Sequence, residues 1–491
     1  MRDSLLGKAF FSLSDADRKA LMQVIRSDPF NSRGEVVRLL DYLSRFVAPG
    51  TEPAEARRRS AAPALLSKEA AYAWAMSSGT DAERRSAAPA QAYDDGKMRH
   101  LMAYSLEVIR LYLAWEDWKS DPAQVALHLC QALKKRGLDA LFERDHQRAL
   151  AIVDARPDRS ATHYYQHFTL ESDAWQLYRA TQRTHEGQLQ HMASSFGAYV
   201  AIHTLRQGCA ALAQRTVSEQ QTAIPYLAET LRLVEQGAFG EAPAVQMYAH
   251  CYRVLSDPDD QHSFSLIKAA LEEGISIFPE DELRDLYILA INFCIRQLNA
   301  GQRQYIQEAF HLYRLGLDRR VFLENAALSR FTYRNILNLA LALGEWEWSL
   351  EYLHEFAAYL PAKDRDNIFR YNLATYYFRR PDYDRALDLL RQVEFRDMLY
   401  NFDARRMLLR IYYDRREYQA LESLLESFAL YLQRHLKAGY HREMYQNLVR
   451  FTKRLIKTRP DDAAKWRALR EDIGRTKHLA EREWLLSQIP P

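Results

Sequence analysis

The chain has 491 residues, with only 17 glycines and 16 prolines, and this shortage of turn-forming residues argues against an all-β fold. Apolar residues make up 48% of the chain, which is too many for an intrinsically disordered protein. The formal net charge at pH 7 is only +3, so any attraction to nucleic acid or to a membrane surface has to come from a local patch.

Apolar residues recur at helical spacing along almost the whole chain, which predicts an all-α protein. Residues 1–47 are predicted to form an N-terminal helical hairpin. Its first helix is expected to begin at Ser14, because a serine hydroxyl can accept hydrogen bonds from the free amides of a helix start. Its second helix is expected to begin with Ser32 and Glu35, which have the spacing of a capping box.

Residues 48–93 are rich in Ala, Pro and Arg and are predicted to be a linker around one short helix, 67–76. A helical connector, 94–158, is expected to follow. Inside this connector Asp121 and Pro122 are typical of a helix start, since Asp caps free amides and Pro has no amide hydrogen to leave unpaired. The N-terminal helices, residues 1 to about 120, are predicted to form a separate module joined by the Ala/Pro/Arg-rich segment.

Three units of similar sequence follow one another in the region 333–431. Trp346, Tyr383 and Tyr418 are spaced 37 and 35 residues apart, and apolar residues recur at fixed distances from each of them. The residues seven positions later are Leu353, Leu390 and Leu425, and those nine positions earlier are Leu337, Ala374 and Leu409. Each unit therefore predicts a pair of helices with apolar facing sides, and such pairs bury these sides when they stack.

This pattern resembles that of tetratricopeptide repeats, most closely in residues 372–390. The resemblance implies an α-solenoid of stacked antiparallel helix pairs, whose concave groove binds a peptide or a protein. Looser helix pairs predict that divergent repeats extend back through 159–332, and residues 432–491 are predicted to form basic C-terminal capping helices. Leu337 and Leu409 depart from the family pattern, which usually has a small residue there.

Some members of that family grip a C-terminal carboxylate with basic and Asn side chains of successive first helices, which implies an acidic or C-terminal peptide as the partner. The first two units of this chain match the pattern, whereas the third has Asp403 and Met407 in place of basic residues. Arg406 and Arg410 lie on the adjacent line of the helix and can substitute, because a guanidinium fork suits a carboxylate. The candidate peptide groove comprises Arg334, Asn338, Tyr371, Asn372, Arg406 and Arg410. The alternative is that these are ordinary polar residues of a solvated face.

The segment 431–459 holds eight basic residues and one acidic residue, Glu443. Four of the basic residues share one helical face, and three aromatic residues, Tyr440, Tyr445 and Phe451, are interleaved with them. A basic helix with aromatic side chains can bind a phosphate backbone or an acidic protein surface. The four residues of this basic patch are Arg450, Lys453, Arg454 and Lys457. The alternative is the solvated outer face of a helix that caps the repeats.

His163, His167 and Glu171 recur every four residues on one side of a predicted helix, and imidazoles at this spacing can share a metal ion. The sequence shows no obvious third ligand beside them, so a polar helix face is the alternative, and we expect no metal and no cofactor. The chain also lacks the phosphate-binding and nucleophile motifs of common enzymes. The sequence therefore predicts a non-catalytic scaffold or adaptor, and the alternative is a regulatory protein that binds nucleic acid or an acidic partner through the basic patch.

Three further observations concern the compartment. The four cysteines lie inside apolar helical patterns, which predicts buried, reduced thiols. The most apolar run, 286–295, is about half the length of a membrane span, and the N-terminal residues Asp3 and Lys8 interrupt any secretory signal. We therefore expect a cytoplasmic protein without membrane contact.

Overall fold

The chain is all-α in the computed structural model, apart from one very short β-hairpin within the part that the model describes. The described residues are 1–47, 66–77, 92–178, 186–215, 222–257, 259–393, 398–434 and 439–490. Most of the predicted linker 48–93 lies outside these residues. Among the helices that are described, none is both long and apolar enough to cross a membrane.

The chain divides into two compact units, of which the first contains residues 1–256 and 274–279. Its helices are α1 (Leu5–Ser12), α2 (Asp15–Val24), α3 (Gly34–Ser44), α4 (Lys68–Met76), α5 (Asp95–Ser120), α6 (Pro122–Lys135), α7 (Asp139–Ala155), α8 (Ala161–Tyr178), α9 (Glu186–Arg215), α10 (Leu227–Glu235) and α11 (Pro243–Ser256).

Residues 1–47 form three helices rather than the predicted two, because α1 precedes Ser14 and is capped by the Ser4 hydroxyl, which accepts the amide of Gly7 at 3.1 Å. Ser14 caps α2 as predicted, with its hydroxyl accepting the amide of Asp17 at 3.0 Å. The predicted capping box at Ser32 is wrong, because Arg33 is the residue that precedes α3. The buried side chain of Asn31 accepts the Arg33 amide at 3.0 Å and donates to the Ile25 carbonyl. The turn before α3 is therefore fixed by Asn31 rather than by Ser32.

The short helix α4 belongs to the N-terminal core. It begins after Ser67 as predicted, and the Ser67 hydroxyl accepts the amide of Ala70 at 3.1 Å. Its apolar side chains, including Tyr72 and Trp74, are buried in the same core as α1, α3 and α5. Burial of these aromatic rings explains why a helix that the sequence places inside a linker packs against the N-terminal helices.

The helices α6, α7 and α8 pack around a second core that includes Cys130 and Phe142. Asp121 caps α6 as predicted and accepts the amide of Ala123 at 2.9 Å, while Gly137 closes this helix with a φ of 67°. The connection from α7 to α8 is short, so the last turn of α7 lies beside the first turns of α8.

The four cysteines are all free and buried, as the sequence predicts. Burial raises the pKa of the Cys130 thiol to about 11 and that of Cys209 to about 12, so both stay protonated at neutral pH.

The second unit contains residues 257–273 and 280–491. Its helices are α12 (Gln261–Glu273), α13 (Glu280–Asn299), α14 (Tyr305–Asp318), α15 (Arg330–Leu343), α16 (Trp346–Phe356), α17 (Arg365–Arg379), α18 (Tyr383–Gln392), α19 (Met398–Asp414), α20 (Tyr418–Arg434), α21 (Gly439–Lys457), α22 (Ala463–Arg475) and α23 (Arg482–Ser487).

The three sequence units form three helix pairs. Trp346, Tyr383 and Tyr418 are each the first residue of the second helix of a pair, and the pairs are α15–α16, α17–α18 and α19–α20. The leucines seven positions after them, Leu353, Leu390 and Leu425, are all buried. The first helices also contact one another, α15 with α17 and α17 with α19. The repeated positions therefore form both the core of each pair and the packing between pairs.

A β-hairpin that the sequence did not predict follows α14. Its strands β1 (Leu323–Glu324) and β2 (Ala327–Leu328) pair in antiparallel fashion, and Asn325 and Ala326 form the turn with positive φ angles. Only two residues long, such strands give no period-two pattern for a sequence prediction to detect.

Candidate functional site

The candidate groove residues lie on the first helices α15, α17 and α19, but they are not equally accessible. Asn372 is fully buried, and its amide donates to the carbonyl of Ile368 at 2.7 Å. It therefore cannot touch a peptide on the surface of this structure. Asn338 is half-buried on α15, one turn beyond Arg334.

Asp403, one of the residues that depart from the tetratricopeptide pattern, lies at the centre of the remaining candidates. The buried hydroxyl of Tyr371 donates to its Oδ2 atom, and Arg406 Nε donates to its Oδ1 atom at 2.7 Å. Arg334 Nη2 lies 3.5 Å from Oδ2, and its guanidinium also faces the ring of Tyr400. One carboxylate thus joins side chains from all three first helices.

The charges of this cluster stabilise each other. Burial alone would raise the pKa of Asp403, but the Arg406 and Arg334 guanidiniums hold this pKa below its ordinary value. Burial, followed by the neighbouring Asp403 charge, raises the pKa of Tyr371 well above its ordinary value. At neutral pH Asp403 is therefore charged and Tyr371 is a protonated hydrogen-bond donor.

A second carboxylate, that of Glu481, binds Arg406 and Arg410. Arg410 Nη1 donates to Glu481 Oε2 at 3.0 Å, and Arg406 Nη1 donates to Glu481 Oε1. Glu481 immediately precedes α23 and has a φ of 56°, in the left-handed region that non-glycine residues rarely adopt. The sequence gives no signal for this contact, because Glu481 lies outside the repeats.

The last helix supports Glu481 in this position. The ring of Trp484 packs edge-on against Tyr413 of α19 at 5.2 Å, and its indole nitrogen donates to Asp414 Oδ1 at 3.4 Å. Trp484 is also part of the core that α19 to α23 share. The C-terminal segment is therefore packed on the third helix pair, α19–α20.

The cluster retains an excess of positive charge. Its arginines, Arg334, Arg406 and Arg410, outnumber its carboxylates, Asp403 and Glu481. The side chains of Arg334 and Arg410 remain 30% and 26% exposed, whereas that of Arg406 is only 13% exposed. Arg334 and Arg410 are therefore the members that an external ligand can reach.

The basic patch lies on α21, and one of its four residues forms an ion pair with the next helix. Arg454 Nη1 lies 2.6 Å from Asp472 of α22. Arg450, Lys453 and Lys457 have no ion-pair partner among the described residues. The interleaved Tyr445 and Phe451 are buried, so these two rings belong to the core and offer no stacking surface for bases. The side chain of Tyr440 lies outside the described residues.

The predicted metal candidates His163 and His167 are close together on α8, with ring centroids 4.7 Å apart. The third member of the group is Asp154 of α7, and His167 Nε2 lies 2.8 Å from its Oδ1 atom. Glu171, the third residue of the sequence prediction, is not part of this group; its charge acts on His146 instead. Asp154 precedes the α7–α8 connection, and pairing the end of one predicted helix with the start of the next would have identified it.

His163 is the buried member of the group. Burial, followed by the nearby charges of His167 and Arg159, lowers the pKa of His163 to about 4, so its imidazole is neutral at physiological pH.

The chain matches no model of a known protein family, no curated protein and no solved structure. Its candidate sites are therefore defined by the geometry of its own residues.

Proposed function

We propose that the protein is a non-catalytic helical-repeat scaffold that binds an acidic peptide on the first helices of its repeats. The observation that carries this proposal is the binding of the Glu481 carboxylate by Arg406 and Arg410, one oxygen to each guanidinium. These arginines are one turn apart on α19, so they form a fork that fits a carboxylate. The resemblance of the repeats to tetratricopeptide repeats implies the same kind of ligand.

The positive excess of the cluster supports an acidic ligand with several carboxylates. A single exposed ion pair contributes about 1 kcal/mol or less, so a peptide needs more than one such contact to bind specifically. Arg334 and Arg410 lie on the first and the third of the three first helices, respectively, and both are partly exposed. An extended peptide that follows these helices can reach both. In this proposal Glu481 is an internal ligand of Arg406 and Arg410, and an acidic peptide competes with it for both arginines.

Fluorescence anisotropy with a labelled hexaglutamate peptide tests the proposal, with hexaglutamine as the uncharged control. Arg410→Glu should weaken hexaglutamate binding by at least about tenfold, because it replaces an attractive charge with a repulsive one. Arg405→Glu is the matched control, since Arg405 lies on the same helix but donates to Asn401 and Ser427 rather than to a carboxylate.

Arg405→Glu should change the affinity by less than about twofold, as is usual for a charge outside the binding site. Circular dichroism should show the wild-type helical content in both variants. The proposal is overturned if the wild-type protein does not bind hexaglutamate, or if both variants weaken binding equally.

A second candidate function is binding of a nucleic acid or an acidic protein by the basic patch of α21. It is favoured by the exposed or half-buried Arg450, Lys453 and Lys457, which no described carboxylate neutralises. With Tyr445 and Phe451 in the core, such binding depends on charge and should weaken steeply with salt. Lys453→Glu combined with Lys457→Glu should abolish binding of a labelled oligothymidylate, and undiminished binding by this variant excludes the patch.

A further inference from the structure

The geometry points to a binding site for a divalent transition-metal ion, formed by Asp154, His163 and His167. Each residue offers one ligand atom, and these atoms all lie within 4.8 Å of one another. Two imidazoles and one carboxylate are a ligand set typical of Zn²⁺ and of other first-row divalent ions, whereas Ca²⁺ and Mg²⁺ prefer oxygen ligands alone.

The hairpin of α7 and α8 explains why these three side chains meet. His163 and His167 are one turn apart at the start of α8, so their rings project from the same face. Asp154 lies in the last turn of α7, one residue before that helix ends. Because the connection between the helices spans only residues 156–160, the end of α7 is placed beside the start of α8.

A polar atom without a partner gives an independent indication of a ligand. His163 is only 7% exposed, and its Nδ1 atom has no hydrogen-bond partner among the described residues. Leaving a buried polar atom unpaired costs roughly 1–3 kcal/mol. A metal ion removes this cost when it binds the Nδ1 atom of His163 itself, or when its binding frees the ring to reorient.

The ligand atoms, which lie within 4.8 Å of one another, have to shift by side-chain rotation to bind one ion. Zn²⁺ binds nitrogen and oxygen ligands at about 2.0–2.2 Å, which places tetrahedral ligand atoms roughly 3.3 Å apart. His167 Nε2 and Asp154 Oδ1 are already 2.8 Å apart, so rotation of the His163 ring and of the carboxylate completes the arrangement. The Asp154 side chain is 59% exposed, which leaves the fourth position open to water.

The nearest positive charge does not occupy this site. The guanidinium of Arg159 donates to the main-chain carbonyls of Asp154, Arg156 and Asp158 at the end of α7. Arg159 is therefore held by the backbone rather than by the Asp154 carboxylate. The carboxylate is instead hydrogen-bonded to His167 Nε2, and a metal ion takes the place of the proton between them.

Isothermal titration of the purified, chelator-treated full chain with Zn²⁺ tests the inference. The wild-type protein should bind Zn²⁺, and Asp154→Asn and His167→Gln should each weaken this binding by more than about 100-fold, beyond the 10–100-fold cost of disturbing an outer-shell partner. Two controls should leave the affinity within about twofold of wild type. Glu171→Gln removes the carboxylate that the sequence pattern suggests, and His311→Gln removes a surface histidine that also lies 2.8 Å from a carboxylate, that of Glu272.

Cobalt absorption gives a second readout that does not depend on affinity alone. Co²⁺ bound in a tetrahedral site of nitrogen and oxygen ligands should give visible absorption in the wild-type protein and in both controls, and neither Asp154→Asn nor His167→Gln should show it. The inference is overturned if the wild-type protein binds no Zn²⁺, or if Asp154→Asn and His167→Gln bind it as tightly as wild type. It is also overturned if Glu171→Gln loses binding while Asp154→Asn keeps it.

Discussion

Arg410 Nη1 lies 3.0 Å from Glu481 Oε2, and this contact joins two residues that are 71 positions apart in the chain. Arg406, one turn earlier on α19, binds the other carboxylate oxygen. The C-terminal segment is thus held on the third helix pair by one carboxylate that binds two guanidiniums. The same contact holds the last helix in place and occupies the two arginines.

Replacement of Glu481 by Gln should loosen the last helix. The variant leaves Arg406 and Arg410 without this carboxylate, and loss of a charged hydrogen bond costs about 1.5–3 kcal/mol. Amide hydrogen exchange in α23 should therefore become at least roughly tenfold faster. Glu483→Gln is the control, since Glu483 is exposed and has no ion pair among the described residues, and it should leave exchange unchanged. Equal exchange in the two variants contradicts this prediction.

Asp403 should make the second unit sensitive to acid. A carboxyl group whose pKa is lower in the folded state stabilises the fold above its unfolded pKa of about 3.9, and this contribution is lost as the pH falls through the folded pKa. Asp403→Asn should therefore unfold at a lower urea concentration than wild type at pH 7. The difference between the two proteins should shrink below about pH 4, as wild-type Asp403 becomes protonated. If the difference in urea unfolding between wild type and Asp403→Asn stays constant down to pH 3, the result contradicts a lowered pKa of Asp403 in the folded state.

The hydroxyl of Tyr371 should contribute to stability through Asp403. Tyr371→Phe removes a hydrogen bond to a buried carboxylate, so we expect a loss of about 1–3 kcal/mol in urea unfolding. Tyr112→Phe is the comparison, because the Tyr112 hydroxyl is buried with no hydrogen-bond partner among the described residues. Its removal should be neutral or slightly stabilising. A larger loss in Tyr112→Phe than in Tyr371→Phe contradicts the prediction.

Gly316 should tolerate no side chain, because Phe322 packs directly over it. A Cβ atom at Gly316 would overlap the ring of Phe322, and overpacking of a core typically costs about 1–3 kcal/mol. Gly316→Ala should lower the midpoint of thermal unfolding. Gly474→Ala in α22 should raise it or leave it unchanged, since no atom lies within 4 Å of a Cβ there and Ala favours helix. Destabilisation by Gly474→Ala alone contradicts this description of the packing.

The helix pairs could be predicted from sequence because their signals are local and repeated. Trp346, Tyr383 and Tyr418 each begin a helix, and the side chains at fixed distances from them fill the core. The Ser32 cap was predicted wrongly because the pattern could not show that Asn31 is buried and bonds to the turn itself. Capping signals compete at close range, and tertiary burial decides between them.

The site residues were only partly predictable, because their partners lie on other elements. Sequence spacing identified the pair His163 and His167, but Asp154 comes from the preceding helix. It also identified Arg406 and Arg410, whereas Glu481 follows a different helix far along the chain. Asn372 matched a family position but is buried, because the position of a residue in a motif does not fix its exposure.

The affinity of hexaglutamate for Glu481→Gln tests the central claim most directly. If Glu481 competes with an acidic peptide for Arg406 and Arg410, its replacement should increase the affinity by about tenfold, because the binding-competent state becomes the dominant one. Glu483→Gln makes the same change in net charge two residues away and should leave the affinity within about twofold of wild type. An affinity of Glu481→Gln that is no higher than that of Glu483→Gln would contradict the claim that these arginines form the peptide site.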